Sequence, residues 1–502
     1  MNMVDALDRA RKFFPEREAV IDGDVRLTYE GLAREVGRAA CGLRSLGIDR
    51  GDRVCLFLNN RAEFLIALYA TMKLGAVCVS LSPMQKADEV TGLLNDCGAA
   101  VLITEADLMG SVPAAARVPS VRTVVGLDGA PCETTWDALL GDASATCDTV
   151  NLNPDDPATM IYTSGTTGQS KGVVLTHGNL VSNTCAAKYM CGMQGEDRSI
   201  CFLPMSHSFA QNFITNATIQ AASTLVVMKG FQPDEALRLI ATEKVTRFYA
   251  VPPIYIMLLA REDATEAMAS VTYCFSAASS MPEEIARRWK ERFGLKMHEA
   301  YGLTETSPFA TYNHELRHKP GSVGTPIMNV EVRVVDPAGQ PLPTGEAGEI
   351  QVRGPNVMAG YFGKPEETAE AMVEGWLRTG DVGYLDDEGY LFLVDRLKDM
   401  INNAGLKVWP RQVEEVLYCH PMVRECAVIG VPHEVFGETV KAVIVPSTPG
   451  GGDADEIRQW VAARLSDYKV PRIVEFVEEL PKNATGKILK RELRPSQSRT
   501  AG

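Results

Sequence analysis

The chain has 502 residues, more than one ordinary hydrophobic core contains, so we expect at least two domains. Hydrophobic residues make up 45% and charged residues 23% of the sequence, proportions that are typical of a globular protein in water. The formal net charge of -14 argues against nucleic acid as a partner, because non-specific binding to nucleic acid depends on exposed positive charge.

Helical and strand patterns alternate over the first 320 residues. Residues 29–47 have the periodicity of an amphipathic helix, and short β-rich runs follow at 53–58, 76–81 and 100–104. The same alternation returns after residue 180, with a helix expected at 233–244 and strands expected at 224–228, 247–252 and 271–277. The alternation predicts two doubly wound α/β subdomains, at about 1–180 and 181–320.

The pattern changes from about Ser322 onward. Short strands set off by Pro and Gly predict a small antiparallel β subdomain at about 321–397, with strands expected at 330–336, 348–354 and 389–395. A mixed segment follows, with helices expected at 411–418 and 455–465 and strands expected at 425–431 and 441–446. The sequence therefore predicts a large N-terminal domain, 1–397, and a small α+β C-terminal domain, 398–502.

Cysteine spacing and apolar runs indicate in which cellular compartment the protein is expected. The 12 cysteines are scattered without a CxxC pair, which predicts reduced thiols and neither a zinc site nor a disulfide framework. The N-terminal segment is charged and lacks the apolar core of a signal peptide. The longest apolar run, 64–81, contains Lys73, so it predicts a buried helix followed by a strand. We expect a cytoplasmic protein with no membrane span.

The stretch from Thr159 to Leu180, TMIYTSGTTGQSKGVVLTHGNL, has the chemistry of a phosphate-binding loop. Glycines let backbone N–H groups approach phosphate oxygens, and hydroxyls plus one cation supply the other donors. The glycines are Gly165, Gly168 and Gly172, the hydroxyls belong to Thr163, Ser164, Thr166, Thr167 and Ser170, and the cation is Lys171. The competing interpretation, a flexible linker, is disfavoured because strand-like runs flank the lysine.

This loop is not a Walker loop. Ser170 stands where that motif requires its second glycine, and Gly172 follows the lysine in place of Ser or Thr. The following residues, GVVLT, are β-branched and predict a strand, whereas a Walker loop opens into a helix. We expect a polyphosphate-binding loop between two strands.

The loop resembles the phosphate-binding signature of the adenylate-forming superfamily, which comprises acyl-CoA synthetases, adenylation domains of peptide synthetases and beetle luciferases. Four more blocks are similar to that family in order and spacing: YGLTET at 301–306, GWLRTGDVGYLDDEGY at 375–390, VDRLKDMINNAGLKVWPRQVEEVL at 394–417 and PKNATGKILKREL at 481–493. Together they extend over nearly the whole chain.

The resemblance implies a nucleotide site. Tyr301 would stack on adenine, Thr304 would contact phosphate, and Glu305 would hold Mg²⁺ with Thr166, since hard oxygen ligands suit this cation. Taken alone, this block is equally typical of a capped helix start. The resemblance also implies catalytic roles for Thr166, Lys171 and Glu305 in the phosphate and metal region.

Further positions are implied to bind ATP or CoA. Asp381 would accept hydrogen bonds from both ribose hydroxyls, and Arg396 would contact ribose or phosphate, although a turn aspartate and a surface ion pair are the ordinary interpretations of such residues. The other implied positions are Thr163, Ser164, Gly165, Thr167, Gly168, Ala278, Glu299, Ala300, Gly302, Lys398 and Gly405.

The C-terminal blocks imply catalysis in two conformations. Lys487 would bridge the carboxylate and the α-phosphate during adenylation. The C-terminal domain would then rotate about Lys398, and Gly405 would line the thiol tunnel, where the lack of a side chain matters. His207 would be a catalytic gate between acid pocket and tunnel, whereas a lone histidine is more often a core or surface residue.

The match is looser around the acid pocket. The family commonly has a Gly-rich turn where this chain has SAASSMPEEI at 276–285, so Ala277 and Ala278 narrow that space. The expected pocket wall, for which plain core packing is the alternative, consists of Phe209, Gln211, Asn212, Ala250, Ser276 and Phe309. This wall contains no cation for a second carboxylate, which favours a monocarboxylate with an apolar or aromatic body.

The function implied is that of an acid:CoA ligase that depends on ATP and Mg²⁺ and works through an acyl adenylate. Two alternatives stay open: a stand-alone amide synthetase that passes the adenylate to an amine, and a non-catalytic nucleotide-binding protein. The chain ends soon after Lys487, which disfavours a fused carrier domain. The sequence leaves the acid, the acceptor and the oligomeric state undetermined.

Overall fold

The computed structural model describes residues 2–141, 147–164, 170–483 and 486–494. Its strands are β1 (Glu18–Asp22), β2 (Val25–Thr28), β3 (Arg53–Phe57), β4 (Val77–Ser80), β5 (Val101–Glu105), β6 (Thr123–Leu127), β7 (Thr134–Thr135), β8 (Pro157–Ser164), β9 (Ser170–Thr176), β10 (Arg198–Cys201), β11 (Thr224–Val227), β12 (Arg247–Ala250), β13 (Tyr273–Ser276), β14 (Met297–Gly302), β15 (Phe309–Tyr312), β16 (Thr325–Pro326), β17 (Glu331–Val335), β18 (Gly348–Arg353), β19 (Gly360–Tyr361), β20 (Met372–Val373), β21 (Trp376–Leu385), β22 (Leu391–Arg396), β23 (Ile401–Asn403), β24 (Leu406–Val408), β25 (Val423–His433), β26 (Gly437–Pro446) and β27 (Ile473–Phe476).

The α-helices of the same residues are α1 (Asp5–Phe13), α2 (Tyr29–Ser45), α3 (Ala62–Lys73), α4 (Ala87–Cys97), α5 (Trp136–Leu140), α6 (His177–Met190), α7 (Ala217–Ala221), α8 (Pro233–Thr242), α9 (Pro252–Leu259), α10 (Ala264–Ala267), α11 (Glu283–Phe293), α12 (Pro365–Ala371), α13 (Pro410–Tyr418), α14 (Ala454–Ala462) and α15 (Lys490–Leu493). A π-helical segment, Phe209–Asn216, runs directly into α7, and every one of its residues is buried.

A nine-stranded sheet contains the strands whose C-terminal ends border the candidate active site. Its strand order is β16-β15-β14-β13-β12-β10-β11-β1-β2, and the neighbours from β14 through β12 and β10 to β11 and β1 are parallel. The hairpin of β1 and β2 lies in this sheet although it belongs to the first 180 residues, because β1 pairs in parallel with β11. The sheet therefore combines segments from both predicted α/β subdomains.

An eight-stranded sheet forms the second layer, in the order β19-β9-β8-β4-β3-β5-β6-β7. The long apolar run forms the buried helix α3 and then the central strand β4, as predicted. None of the helices in the described ranges is both long and apolar enough to cross a membrane. Strands β8 and β9 are antiparallel neighbours, with Ser164 opposite Ser170.

Two smaller sheets follow. β17, β18, β20, β21 and β22 form the predicted antiparallel β unit. β23 to β27 form a mixed sheet covered by α13 and α14, and its buried residues between Ile401 and Val461 make a cluster of their own. The predicted α/β class with added β and α+β units is confirmed, whereas the domain boundary at 397/398 stays a prediction.

Candidate active site

Strands β12 and β13 end side by side at the site, next to the middle of the parallel neighbour β14. In the register of β12, β13 and β14, Ala250 lies opposite Ser276, and Ser276 lies opposite Glu299. The carboxyl ends of parallel strands are the usual place for a ligand in such sheets, because loops and helix N-termini converge there. Two predicted acid-pocket residues and one predicted nucleotide residue therefore share one edge.

Glu299, in the middle of β14, is a buried carboxyl group. Its Oε2 accepts a hydrogen bond from the backbone N–H of Met281 at 3.2 Å. Burial raises the pKa of Glu299 to about 7, although the charge of Arg411 opposes the shift. Ala300, which follows it, pairs with Tyr312 of β15. Ala278 has a φ of +68°, a left-handed conformation that fits the glycine common at this turn in the resembled family better than an alanine.

A hydrogen bond and an ion pair join Tyr301, Asp381 and Arg396 in one cluster. The Tyr301 hydroxyl donates to Oδ2 of Asp381 at 2.8 Å, and Nε of Arg396 lies 3.2 Å from Oδ1 of the same carboxylate. Asp381 and Arg396 are directly opposite each other on β21 and β22, so the antiparallel register itself brings them together. Each carboxylate oxygen has a second lone pair, which leaves acceptor capacity for a ligand.

The turn after β14 carries Thr304 and Glu305. Oγ of Ser208 and Oγ1 of Thr304 are 3.2 Å apart, which joins this turn to the residues that lead into the π-helical segment. The Tyr361 hydroxyl donates to Oε1 of Glu305 at 2.9 Å. Burial raises the pKa of Glu305 from its usual value, against the hydrogen bond from Tyr361. A desolvated carboxylate of this kind is stabilised when a cation binds it.

Residue 302 must be a glycine because the backbone of Pro308 and Phe309 passes very close to it. A Cβ on this residue would lie 2.7 Å from Cα of Phe309 and closer still to the carbonyl oxygen of Pro308. Gly302→Ala is therefore expected to lower the free energy of unfolding by about 3 kcal/mol, because only backbone movement relieves such a clash. Thermal or urea denaturation measures the change.

Gly92→Ala is the matched control for Gly302→Ala. Gly92 lies inside α4 with nothing within 4 Å of an added Cβ, so alanine should be neutral or stabilising by about 1 kcal/mol or less. Equal melting temperatures for the two variants would contradict the close approach at Gly302.

The phosphate loop is described only at its two ends. Gly165, Thr166, Thr167 and Gly168 lie outside the described residues, as does the side chain of Ser164. Thr163 of β8 lies opposite Lys171 of β9, so the predicted pair of strands flanking the loop is confirmed.

Lys171 has partners that the sequence did not predict. Its Nζ lies 2.6 Å from Oε2 of Glu367 and 4.8 Å from the centre of the Tyr361 ring. Tyr361 reaches this position because β19 adds to the sheet beside β9. Lys171 and Glu305 thus meet the same tyrosine, which links the phosphate loop to the YGLTET turn. A two-residue strand has no periodicity, so no sequence signal marked Tyr361 or Glu367.

The last described segment brings Lys487 close to the end of β12. An added Cβ on its neighbour Gly486 would lie 3.0 Å from Cγ2 of Val251, the residue after β12. The pKa of Lys487 is lowered to about 8, chiefly by burial and then by the charge of Arg396, while Asp381 opposes the shift. A C-terminal lysine therefore lies near the cluster of Tyr301, Asp381 and Arg396.

His207 lies on the N-terminal side of the π-helical segment. Its Nδ1 accepts a hydrogen bond from the backbone N–H of Phe209 at 3.3 Å. Burial, with the charge of Lys487 as a further cause, lowers the pKa of His207 to about 4. The imidazole is therefore neutral near pH 7, and the hydrogen bond at Nδ1 leaves the proton on Nε2.

Lys398 and Gly405 are placed differently from Lys487. Lys398 is exposed in a short helical turn, Leu397–Asp399, but partial desolvation of its ammonium and then the charge of Arg396 lower its pKa. Gly405 is exposed at the tip of the β23–β24 hairpin, with nothing within 4 Å of an added Cβ. The structure thus brings Lys487, and not Gly405, to the strand ends.

An aromatic cluster adjoins His207. Phe209 and Phe309, both predicted for the acid pocket, have ring centroids 5.6 Å apart. Phe213 and Phe275, which the sequence analysis missed, complete the cluster: the ring of Phe213 stacks on Phe275 at 4.6 Å and meets Phe309 edge-on at 4.5 Å. The signal for Phe213 was its spacing of one helical turn from Phe209.

The polar residues beside this cluster are also buried. Nε2 of Gln211 donates to Oγ of Ser80 at 2.7 Å, and Nδ2 of Asn212 donates to the carbonyl oxygen of Ser307 at 2.6 Å. Oε1 of Gln211 and Oγ of Ser276 have no hydrogen-bond partner within the described residues. These unpaired atoms leave polar capacity next to an aromatic wall.

Comparison with known proteins identifies the family of this chain. The profile of the AMP-binding enzyme family matches residues 7–362, and that of the AMP-binding enzyme C-terminal domain matches residues 412–487. The chain therefore belongs to the AMP-binding enzyme family, within the adenylate-forming superfamily. It is similar to the feruloyl-CoA synthase of Amycolatopsis sp, with 37% identity over 490 residues that cover 97% of each chain.

Two further similarities define the activity. The 4-coumarate–CoA ligase of Pinus taeda is 34% identical over 504 residues, which cover 96% of this chain and 92% of the relative. The crystal structure of the anthranilate CoA ligase AuaEII in complex with anthranoyl-AMP matches with a TM-score of 0.93 at 28% identity, covering 98% of this chain and 96% of the other. The protein is an AMP-forming acyl-CoA synthetase: it uses ATP to form an acyl adenylate and transfers the acyl group to CoA.

Proposed function

We propose that this synthetase activates an aromatic monocarboxylic acid in a reaction that depends on Mg²⁺, and that Lys487 is the main catalytic cation of the first half-reaction. The observation that carries the proposal is the position of Lys487. Its neighbour Gly486 packs against Val251, the residue after β12, and the Lys487 ammonium is close enough to Asp381, Arg396 and His207 for their charges to interact.

The nucleotide would be held by the cluster around Asp381. Its remaining lone pairs accept hydrogen bonds from the two ribose hydroxyls, and the Tyr301 ring offers a face for the adenine. Arg396 fixes the carboxylate from the opposite strand and keeps charge available for phosphate. Binding of this kind applies to ATP, to the acyl adenylate and to AMP alike.

The residues present fit a magnesium ion. Glu305 would hold it together with Thr166 of the loop, because a buried carboxylate with a raised pKa gains most from a hard cation, and Mg²⁺ typically uses few protein ligands plus substrate phosphates. Such an ion supplies neutralisation of phosphate charge. Tyr361 orients the Glu305 carboxylate through Oε1.

In the first half-reaction a carboxylate oxygen attacks the α-phosphorus of ATP, and the bond to pyrophosphate breaks. Two anions approach each other in this step, so catalysis depends on cations placed at the reacting centre. The ammonium of Lys487 supplies charge from the C-terminal side and Lys171 from the loop side. Lys171 must leave its ion pair with Glu367 to do so.

In the second half-reaction the thiol of CoA attacks the acyl carbon, and AMP leaves. We propose that rotation about Lys398 removes Lys487 and brings the Gly405 hairpin to the strand ends, since both groups cannot occupy that edge together. Gly405 has a φ of +86° and no side chain to fill a thiol channel. His207, neutral near pH 7, would donate from Nε2 toward the acyl group.

The aromatic class of the acid is supported by two independent facts. The wall next to His207 is built from Phe209 and Phe309, whose rings offer stacking and edge contacts to an aryl body. Three of the similar proteins are named for ferulate, 4-coumarate and anthranilate, all of which are aromatic monocarboxylates, whereas a relative from Bacillus subtilis is named a long-chain-fatty-acid–CoA ligase. Buried Oγ of Ser276 and Oε1 of Gln211 are available acceptors for a ring hydroxyl or amine.

Pyrophosphate release with ATP and Mg²⁺ tests the proposal. A panel of aryl, arylpropenoic and fatty acids is assayed with CoA, with simple amines and with neither, and the products are identified by mass. We expect aryl acids to give acyl-CoA with kcat/KM at least about tenfold above fatty acids, because a ring-lined pocket discriminates by shape and contact. A fatty acid as the best substrate would overturn the aromatic class, and amide without thioester would overturn CoA as the acceptor.

A further inference from the structure

Helix α13 begins with an arginine that reaches back to the small β unit. The backbone N–H of Arg411 donates to Oδ2 of Asp395 at 2.9 Å, and Nη1 of Arg411 donates to the carbonyl oxygen of Leu393 at 2.8 Å. Leu393 and Asp395 lie on β22, which ends just before the helical turn that contains Lys398. One residue therefore ties α13 to a strand of the predicted N-terminal domain.

The next turn of α13 contacts a second element of that domain, α11. Oε2 of Glu415 accepts a hydrogen bond from the backbone N–H of Glu283, the first residue of α11, at 3.3 Å. Glu415 follows Arg411 by one helical turn, and Nε of Arg411 lies 3.5 Å from Oε1 of Glu415. These interactions with β22 and α11 are together called the α13 contact below.

Arg411 also offsets a repulsion between carboxylates at the α13 contact. Burial raises the pKa of Glu299 to about 7, the charge of Arg411 opposes the shift, and the charges of Glu415 and Glu283 add to it. Burial raises the pKa of Glu415 as well, and the charge of Arg411 again opposes the shift. Because desolvated carboxylates repel each other, the α13 contact depends on the cation beside them.

The segment that carries Lys487 is fastened to α13. Nζ of Lys490, three residues after Lys487, lies 2.8 Å from Oε1 of Glu414 on α13. The same Glu414 oxygen accepts a hydrogen bond from the backbone N–H of Val428 at 2.8 Å, which joins α13 to β25. A movement of α13 away from β22 and α11 would therefore withdraw Lys487 from Asp381 and Arg396.

On the basis of the proposed function, in which the C-terminal domain rotates between the half-reactions, we infer that Arg411 is a positioning residue that holds this domain in the arrangement for adenylation. Arg411 acts through α13, whose position determines where Lys487 lies. Rotation about Lys398 moves α13 away from β22 and α11, so the arrangement for thioester formation does not use the α13 contact.

Arg411→Ala separates the two half-reactions. We expect acid-dependent ATP–pyrophosphate exchange, measured with the best acid of the panel, to fall by about tenfold or more, because charge-assisted hydrogen bonds that favour one of two arrangements are lost. Thioester formation from the synthetic acyl adenylate of that acid and CoA should stay within a few-fold of wild type. Arg411→Lys keeps the charge but loses the planar guanidinium, so its exchange rate should be intermediate.

Amide hydrogen exchange measures the α13 contact without any need for activity. The first backbone N–H groups of a helix have no acceptor within that helix, so the Glu283 amide depends on Glu415 for its hydrogen bond. Mass spectrometry of peptides within 281–290 should show faster hydrogen exchange at Glu283 in Arg411→Ala than in wild type. A general loss of stability would instead accelerate exchange across many peptides.

Arg458→Ala is the matched control. Arg458 lies on α14 of the same C-terminal unit and pairs with Asp455 of its own helix. Its truncation removes an arginine from that unit and leaves the α13 contact in place. Both half-reactions and the hydrogen exchange of Glu283 should therefore remain as in wild type.

The outcomes separate the role of Arg411 from the proposed function. Exchange activity that is unchanged in Arg411→Ala, or equal losses of both half-reactions, would overturn the role of Arg411 and leave the proposed function intact. The same selective loss in Arg458→Ala would also overturn it, because the effect would then not depend on the α13 contact. If wild type gave no ATP–pyrophosphate exchange with any acid, the proposed function would fail, whereas the hydrogen exchange of Glu283 would still test the α13 contact.

Discussion

Lys487→Ala is expected to reduce acid-dependent ATP–pyrophosphate exchange by about 100- to 1,000-fold, the usual effect of removing one charge-stabilising group from a reacting centre. Thioester formation from a synthetic acyl adenylate and CoA should stay within a few-fold of wild type. The reason is that the Lys487 ammonium is close enough to Asp381 and Arg396 to interact with their charges in this arrangement, and the proposed rotation removes it before the thiol reacts.

The control for Lys487→Ala is Lys482→Ala. Lys482 belongs to the same C-terminal segment, but its Nζ lies 2.6 Å from Oε2 of Glu425, inside the C-terminal unit. That variant should keep both half-reactions. Equal losses of both half-reactions in Lys487→Ala would contradict the two-conformation hypothesis, because that hypothesis places Lys487 at the reacting atoms in the first half-reaction only.

The pKa of Lys487 gives a pH signature of the same role. The ammonium form is the catalytic one, and it is present below the pKa of about 8 and lost above it. For the free enzyme, kcat/KM in the exchange reaction should therefore fall about tenfold per pH unit above pH 8. Thioester formation should instead rise over this range, because thiolate becomes more abundant. If the rate of the exchange reaction stayed constant up to pH 10, the ammonium form of Lys487 would not be the catalytic one.

Sequence patterns predicted the positions of helices and strands better than they predicted which strands pair with each other. Strand and helix patterns marked the elements around Val54, Leu225 and Val413 correctly, because local periodicity reflects which face of an element is buried. The same patterns could not show that β1 pairs with β11, roughly 200 residues later, since strand partners depend on tertiary packing. A division of the first 320 residues by sequence order therefore does not match the division by sheets.

Recognition of sequence blocks predicted the polar part of the site. Tyr301, Asp381 and Arg396 were assigned from separate blocks, and the structure joins them through one carboxylate. Nucleotide binding itself stays a prediction for each of them. The acid pocket was harder to predict: all eight residues of Phe209–Asn216 are buried, so no alternation of polar and apolar residues separates a residue of the aromatic cluster such as Phe213 from an ordinary core residue.

Asp381→Ala should damage both half-reactions, unlike Lys487→Ala. Nucleotide remains bound throughout the cycle, and each charge-assisted hydrogen bond from this carboxylate contributes about 1.5–3 kcal/mol. Loss of two such bonds predicts a fall of about 100-fold or more in kcat/KM for ATP, with weaker binding of the acyl adenylate as well. The variant also leaves the Tyr301 hydroxyl and Arg396 without their partner.

Two further variants separate ribose binding from support of the site. Tyr301→Phe keeps the ring and removes only the hydroxyl that donates to Asp381, so it should cost about tenfold or less. Asp387→Ala removes a carboxylate that is exposed and accepts a hydrogen bond from Thr344, so both half-reactions should continue normally. If kcat/KM for 2′-deoxy-ATP and kcat/KM for ATP fall by the same factor in Asp381→Ala, the carboxylate does not bind the ribose 2′-hydroxyl. If the variant no longer distinguishes them while wild type does, the hydrogen bond to that hydroxyl is the interaction that was lost.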